Sequence, residues 1–294
     1  MASVRDLRDR IRSLKNTQQI TKAMKQVAAA KIRRAEQAQK RARPYADTIA
    51  EMLRDLMNAV SSIDHPFAKP GKAGAPAGVI VMTADKGLAG AFNSNVSRAA
   101  DGVAAQRGGA IWYAVGNKAR NHVRRLGVAD FANWPLGSGE KLGTAREVAH
   151  RVTRDFDAGT ISEIVLVSSR LISMLSQKPE VRSIVPIRRE TMLSSPDSDG
   201  EAAGGPRGAI EFAPSPEFVL SRLLPKYLEF TLFSAMLETD AAFYAAQLMA
   251  MNNATENASK LIDELTIQMN NARQAAITKE LLEIVGGAEA LGVE

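Results

Sequence analysis

Apolar and polar positions alternate along this chain in two distinct ways. From Lys226 to Val285 there is neither proline nor glycine. Apolar or small residues recur there at steps of three and four: Phe230, Phe233, Leu237, Tyr244, Met251, Ala254, Ala258, Leu261, Leu265, Ala272, Ala275 and Leu282. Asp240, Gln247, Gln268 and Lys279 interrupt that seam, and Gly286-Gly287 predicts its stop. A heptad sustained this far predicts a coiled-coil helix of about 90 Å, which needs a partner along its seam. The N-terminal end supplies one. Val4, Leu7, Ile11, Leu14, Gln18, Thr21, Ala28, Ile32, Ala35, Ala42, Ala46, Ile49, Leu53, Leu56 and Val60 form a second seam, interrupted by Lys25 and Gln39. Ser3 with Asp6 resembles a capping box at its start, and Pro44 inside it predicts a kink without a break in phase. Two rods of equal length at opposite ends of one chain predict an antiparallel pair.

Between the rods the period changes. Residues 61–76 (SSIDHPFAKPGKAGAP) read as a linker. Strands are then predicted at Val79–Thr83, Ile111–Val115, Val128–Trp134, Ile161–Ser168 and Val181–Arg188, the last an edge because of Pro186. Helices are predicted over 91–107, 117–126 and 141–157. Residues 194–209 read as a flexible loop, before a short strand Ile210–Phe212. Ser215-Pro216-Glu217 has the chemistry of a helix start, and Pro225 is expected to bend the chain into the long C-terminal helix. The fold class is therefore α/β: a central, mostly parallel sheet domain of Rossmann-like type, plus a long antiparallel coiled coil of the N- and C-terminal helices. The expected domains are 1–60 (N-terminal helix), 61–76 (linker), 77–213 (sheet domain) and 214–294 (C-terminal helix).

Charge changes the picture at one end. Residues 1–43 hold thirteen Lys/Arg against Asp6, Asp9 and Glu36, a net +10, while the remaining 251 residues carry −4. An acidic protein surface suits such a rod. Nucleic acid or anionic lipid are the other partners to weigh, and a plain solvated face is the bland alternative. Residues 1–43 offer no aromatic side chain for base stacking. No apolar run approaches 18 residues, so no membrane span is expected, and no apolar stretch behind Met1 reads as a secretory signal. Without cysteine, thiolate chemistry and disulfides are excluded.

Candidate chemistry is thin. Thr83-Ala84-Asp85-Lys86-Gly87-Leu88-Ala89-Gly90 follows a strand and precedes a helix, where phosphate loops sit. Its lysine precedes the glycine instead of ending the loop, so a structural turn is the better reading. Gly137-Ser138-Gly139 reads as a turn. Glu147 and His150 form a single Glu-x-x-His, short of a metal set, and His65 and His122 lie in the linker and in a helix. No catalytic, cofactor-binding or metal-binding residues are expected.

Several stretches together carry a family resemblance. They are Ile20-Thr21-Lys22-Ala23-Met24, Val27-Ala28-Ala29-Ala30-Lys31, Arg43-Pro44-Tyr45-Ala46, Asp85-Lys86-Gly87-Leu88-Ala89-Gly90, and Asn271 through Ala288. The chain resembles the gamma subunit of bacterial-type F-type ATP synthase. The resemblance runs the length of the chain and is weakest between about 95 and 210. It implies a central rotor shaft that couples c-ring rotation to conformational cycling of the catalytic beta subunits, for ATP synthesis or hydrolysis, and regulates ATPase activity and proton flow. The implied partners are three alpha and three beta subunits around the coiled coil, with the epsilon subunit and c-ring at the sheet domain and no nucleic acid. The implied location is the cytoplasmic face of the bacterial inner membrane, as a peripheral component without cofactor or catalytic site of its own. By position, the resemblance makes Met24, Lys25, Arg273, Gln274 and Thr278 partner-contacting. Arg273, Gln274 and Thr278 lie off the predicted seam, whereas Lys25 lies on it. The cysteine-bearing regulatory insert of the chloroplast form is absent.

Overall fold

The computed structural model describes residues 3–59, 65–137, 140–187 and 215–291. In chain order they form α1 (Val4–Ala59), a 3-10 turn (Pro66–Ala68), β1 (Ala77–Met82), α2 (Phe92–Gln106), β2 (Ala110–Val115), α3 (Asn117–Arg125), β3 (Ala132–Trp134), α4 (Lys141–Asp157), β4 (Ile164–Ser173), β5 (Ser176–Val185) and α5 (Pro216–Leu291). The loop expected over 194–209 and the strand Ile210–Phe212 lie outside the described residues. By contacts the chain divides into two compact units. One is Met1–Ala28 with Gln247–Glu294, and the other is Ala29–Ala246, so each long helix contributes to both.

In the larger unit, five strands pair in the order β3-β2-β1-β4-β5. The pairs β1–β2, β1–β4 and β2–β3 are parallel, and β4–β5 is an antiparallel hairpin. The mostly parallel sheet follows from the alternation of apolar strands with amphipathic helices. β1 is buried along its whole length, as a central parallel strand must be. One face of the sheet (Val79, Val81, Trp112, Ala114, Val165, Val167) packs on Val96, Ala100 and Val103 of α2 and Ala119 and Val123 of α3. The other face (Ile80, Met82, Tyr113, Val115, Ile164, Leu166) receives α4, α5 and the end of α1 through Leu53, Leu56 and Met57.

The segment read as a linker is partly core. Phe67 is 1% exposed and meets Phe156 edge-on, with ring centroids 6.0 Å apart. Gly71 lies so close to the Ser162 backbone that a Cβ would collide with it. Composition reported the Pro and Gly content but not this docking.

α1 begins at the expected box: the Ser3 N–H donates to Asp6 Oδ2 and the Asp6 N–H to Ser3 Oγ, each at 3.2 Å. It runs unbroken through Pro44. α5 begins where Ser215 Oγ accepts the Phe218 N–H at 3.2 Å. Two expectations fail on α5. The long helix does not begin after Pro225: a single helix starts at Pro216, and Pro225 sits inside it. Leu220, Leu224, Leu228 and Leu232 flank it, all buried in the core. At about 1.5–3 kcal/mol per buried side chain they outweigh the roughly 3 kcal/mol cost of a helical proline. Nor does Gly286-Gly287 end the helix, which continues to Leu291. Glycine costs about 1 kcal/mol in a helix yet removes no hydrogen bond, so it weakens where proline would block.

Candidate interaction surface

In the smaller unit the two helices run antiparallel. Lys25 Nζ donates to Asn252 Oδ1 at 2.6 Å, and Thr255 Oγ1 donates to Thr21 Oγ1 at 2.8 Å. Leu7, Ile11, Thr21 and Ala28 of α1 are buried, as are Gln247, Met251, Ala258 and Ile262 of α5. The α1 seam thus falls where its heptad put it. On α5 the seam is corrected: Leu261 is 46% exposed and Ile262 takes the buried place.

The two rods are also not of equal length. α1 has 56 residues and α5 has 76. Counting from the Thr21–Thr255 pair, Val4 comes level with Ala272. From Arg273 to Leu291 the helix therefore overhangs, by about 28 Å at 1.5 Å per residue. On this overhang Ile277, Leu281, Leu282, Ile284 and Val285 are exposed, and Ala275 and Leu282, placed on the seam by pattern, have no α1 to meet.

The residues singled out from the sequence fall into two groups. Met24 is half-buried and Lys25 exposed on α1. Lys25, placed on the seam by its heptad phase, lies at the seam's rim with its ammonium on Asn252. Arg273, Gln274 and Thr278 are all exposed at the start of the overhang. Thr278 Oγ1 donates to the Gln274 carbonyl at 3.0 Å, a bond within its own helix. The structure does not bring the groups together: Asn252, beside Lys25, is twenty-one residues from Arg273, or about 31 Å along α5. Between them runs the basic face. Arg5, Arg8, Arg12, Lys15 and Lys22 are exposed. Among the described residues none of these five forms a salt bridge. An array of unneutralised cations on a solvated helix face attracts an acidic surface and adds nothing to the pair's own stability.

The Asp85-Lys86-Gly87-Leu88-Ala89-Gly90 loop, in the larger unit, is a turn bonded to the elements around it. Asp85 Oδ1 accepts the Asn117 and Leu136 N–H groups at 2.8 and 3.3 Å, and its Oδ2 accepts that of Gly137 at 2.8 Å. Asn93 Oδ1 accepts the Ala84 N–H, and its Nδ2 donates to the Lys86 carbonyl. Thr83 Oγ1 accepts the Ala119 N–H at 2.6 Å. The carboxylate is thus spent on the N-terminus of α3 and the approach to α4, and Lys86 points to solvent. Glu147 and His150 are both exposed. No group of three or more His, Cys, Asp or Glu residues is placed to hold a metal among the described residues.

Asp240, which pattern reading took as a break in the α5 seam, has a partner in the same unit, and so does Glu229, which the pattern did not single out. Asp240 Oδ2 lies 2.8 Å from Lys141 Nζ, with both side chains 17% exposed. Burial raises the Asp240 pKa, and the hydrogen bond and charge of Lys141 partly oppose that. Glu229 is held by Lys226 at 2.9 Å and Arg146 at 3.6 Å. An acid inside an otherwise apolar helix face was the available signal, since such a group needs a cation nearby.

Comparison with known proteins agrees over the whole length. The ATP synthase family model matches residues 3–291. The ATP synthase gamma chain of Desulforamulus reducens is 44% identical over 292 residues, 99% of this chain and all of the relative. That of Heliobacterium modesticaldum is 42% identical over 294 residues, with the same coverage. Among solved structures, a chain of the Euglena gracilis mitochondrial ATP synthase in an OSCP/F1/c-ring assembly has a TM-score of 0.67 at 18% identity, covering 98% of this chain and 94% of that one. A chain of the rotor of the same enzyme gives 0.63 at 18% identity, covering 93% and 98%. Those two likenesses establish the fold, and no described helix is long and apolar enough to cross a membrane. With relatives above 40% identity from end to end, the chain belongs to the ATP synthase gamma-chain family.

Proposed function

We propose that the chain is the central shaft of an F-type ATP synthase, with no catalytic site of its own, working at the cytoplasmic face of a bacterial inner membrane. Three alpha and three beta subunits surround the helical pair, formed by the ends of segments 1–60 and 214–294. The sheet domain, 77–213, meets the epsilon subunit and the c-ring. Turning of the shaft presents different side chains to each beta subunit in succession. Contacts that differ between conformational states shift those states, and this is how a non-catalytic rod drives catalytic sites. In this reading Met24, Lys25, Arg273, Gln274 and Thr278 touch the surrounding subunits, with the cations of α1 facing acidic surfaces.

The observation that carries the reading is the overhang of α5, in a chain that matches gamma chains from end to end. A single amphipathic helix with exposed Ile277, Leu281, Leu282, Ile284 and Val285 is complete only inside a sleeve of other subunits. Reconstitution tests it. Added to purified alpha and beta subunits, the chain assembles an active ATPase, while alone it neither binds nor hydrolyses ATP. Failure to assemble, or nucleotide binding by the isolated chain that is lost on Lys86→Ala, overturns it.

A further inference from the structure

The Asp85–Gly90 loop has no role in the subunit contacts above, yet hydrogen bonds tie it to α2, α3 and the approach to α4. Its surroundings supply a role. Ala84, Ala89 and Phe92 form a separate apolar cluster with Ala242, Phe243 and Ala246 of α5, and Leu171 and Tyr244 pack against it. The Phe92 and Phe243 rings meet at 5.8 Å and 64°. Leu88 in this loop has φ 62°, a left-handed conformation that a leucine keeps only when its surroundings impose it. Asp85, through its three N–H bonds, ties the loop to α3 and to the approach to α4.

α4 completes the arrangement. Its first residue, Lys141, holds Asp240, and Arg146, a turn further on, reaches Glu229. Glu229 and Asp240 are eleven residues apart, three full turns, and so lie on one face of α5. Asp240, Phe243 and Tyr244 are spaced i, i+3, i+4 and so are neighbours. Lys31 of α1 closes the ring, its Nζ 5.3 Å from the centre of the Tyr244 ring. Apolar burial alone is non-directional and lets a smooth helix turn about its axis. An ion pair and edge-on rings at defined positions oppose such turning. They sit in the last turns of α5 before Ala246, where the helix leaves this unit.

We propose that the β1–α2 loop and the N-terminal turn of α4 are a torque clamp. Lys141–Asp240 and Phe92–Phe243 act as positioning contacts that hold α5 in fixed rotation against the sheet domain. This rests on the shaft reading above. Force from the sheet side then passes into the helix through side chains and not only through the backbone connection.

The test uses the assembled ATP synthase in inverted membrane vesicles, measuring protons pumped per ATP hydrolysed. Asp240→Asn and Phe243→Leu are expected to retain ATPase activity and at least halve that ratio. The exchanged pair Lys141→Asp with Asp240→Lys restores it toward wild type, which lost packing alone would not do. Thermal melting of each free chain identifies variants that fail to fold; for those, Lys141→Arg, which keeps the charge, is expected to pump as wild type while Lys141→Met does not. A wild-type ratio in Asp240→Asn and Phe243→Leu, or no recovery in the exchanged pair, overturns the clamp. If the wild-type chain itself builds no coupled enzyme, it is the shaft reading that fails.

Discussion

Glu238 shows what one side chain contributes. It is mostly buried on α5, and burial raises its pKa. Arg182, the Leu171 N–H and Arg170 oppose the rise, and Glu180 adds to it. The folded state therefore holds a proton on Glu238 to higher pH than the unfolded chain does. Its contribution to stability is fully present below the ordinary glutamate range and is lost as pH rises through the raised value. Glu238→Gln removes that loss. The variant is expected to melt above wild type at neutral pH, with the difference closing as the pH falls below the ordinary glutamate range. Circular-dichroism melts across that span check it, and a difference independent of pH would sink the argument. Asp240 is raised by burial too, but it is present in both proteins and cancels.

Single residues were legible from sequence where the chemistry is local. The Ser3–Asp6 box and the Ser215 cap involve groups three residues apart, and both stand as read. Asp240 was legible only as a fault in a seam. Its partner Lys141 lies ninety-nine residues away in sequence, and no pattern connects the two.

Elements were legible where one face decides them. α1 buries one stripe, and its heptad named that stripe correctly. α5 is harder in both halves. Before Gln247 it is buried against the sheet as well as α1, so a second stripe (Leu220, Leu224, Leu228, Leu232) runs beside the one read from sequence. After Gln247 two heptads share Met251, Ala258, Leu265 and Ala272. One adds Ala254, Leu261 and Gln268, the other Thr255, Ile262 and Met269. Both step by three and four, so periodicity does not choose. α1 chooses, through the Thr21–Thr255 bond and the burial of Ile262. Ile262→Ala is accordingly expected to destabilise the helical pair by about 2 kcal/mol, and Leu261→Ala by under about 0.5 kcal/mol. Helical melts of the two variants compare them directly, and equal losses would contradict this phase.

At the scale of the molecule, what matters most is a difference in length between two helices. Arg273 sits just past the level at which α1 begins, and its side chain is exposed. Arg273→Ala should leave the melting temperature and assembly close to wild type and lower the ATPase rate or coupling of the assembled enzyme. Loss of folding in that variant would mean that the residue serves the pair and not a partner. The sequence by itself determined the α/β alternation, the two rods and their antiparallel pairing, because these follow from periodicity and from chain ends that must meet. It also carried the family, through motifs at both ends. Only the tertiary structure decided which face of α5 meets α1, that Pro225 and Gly286 lie within a helix, and that the β1–α2 loop grips α5. Each of those turns on burial energies and partners far apart in the chain, which no local pattern records.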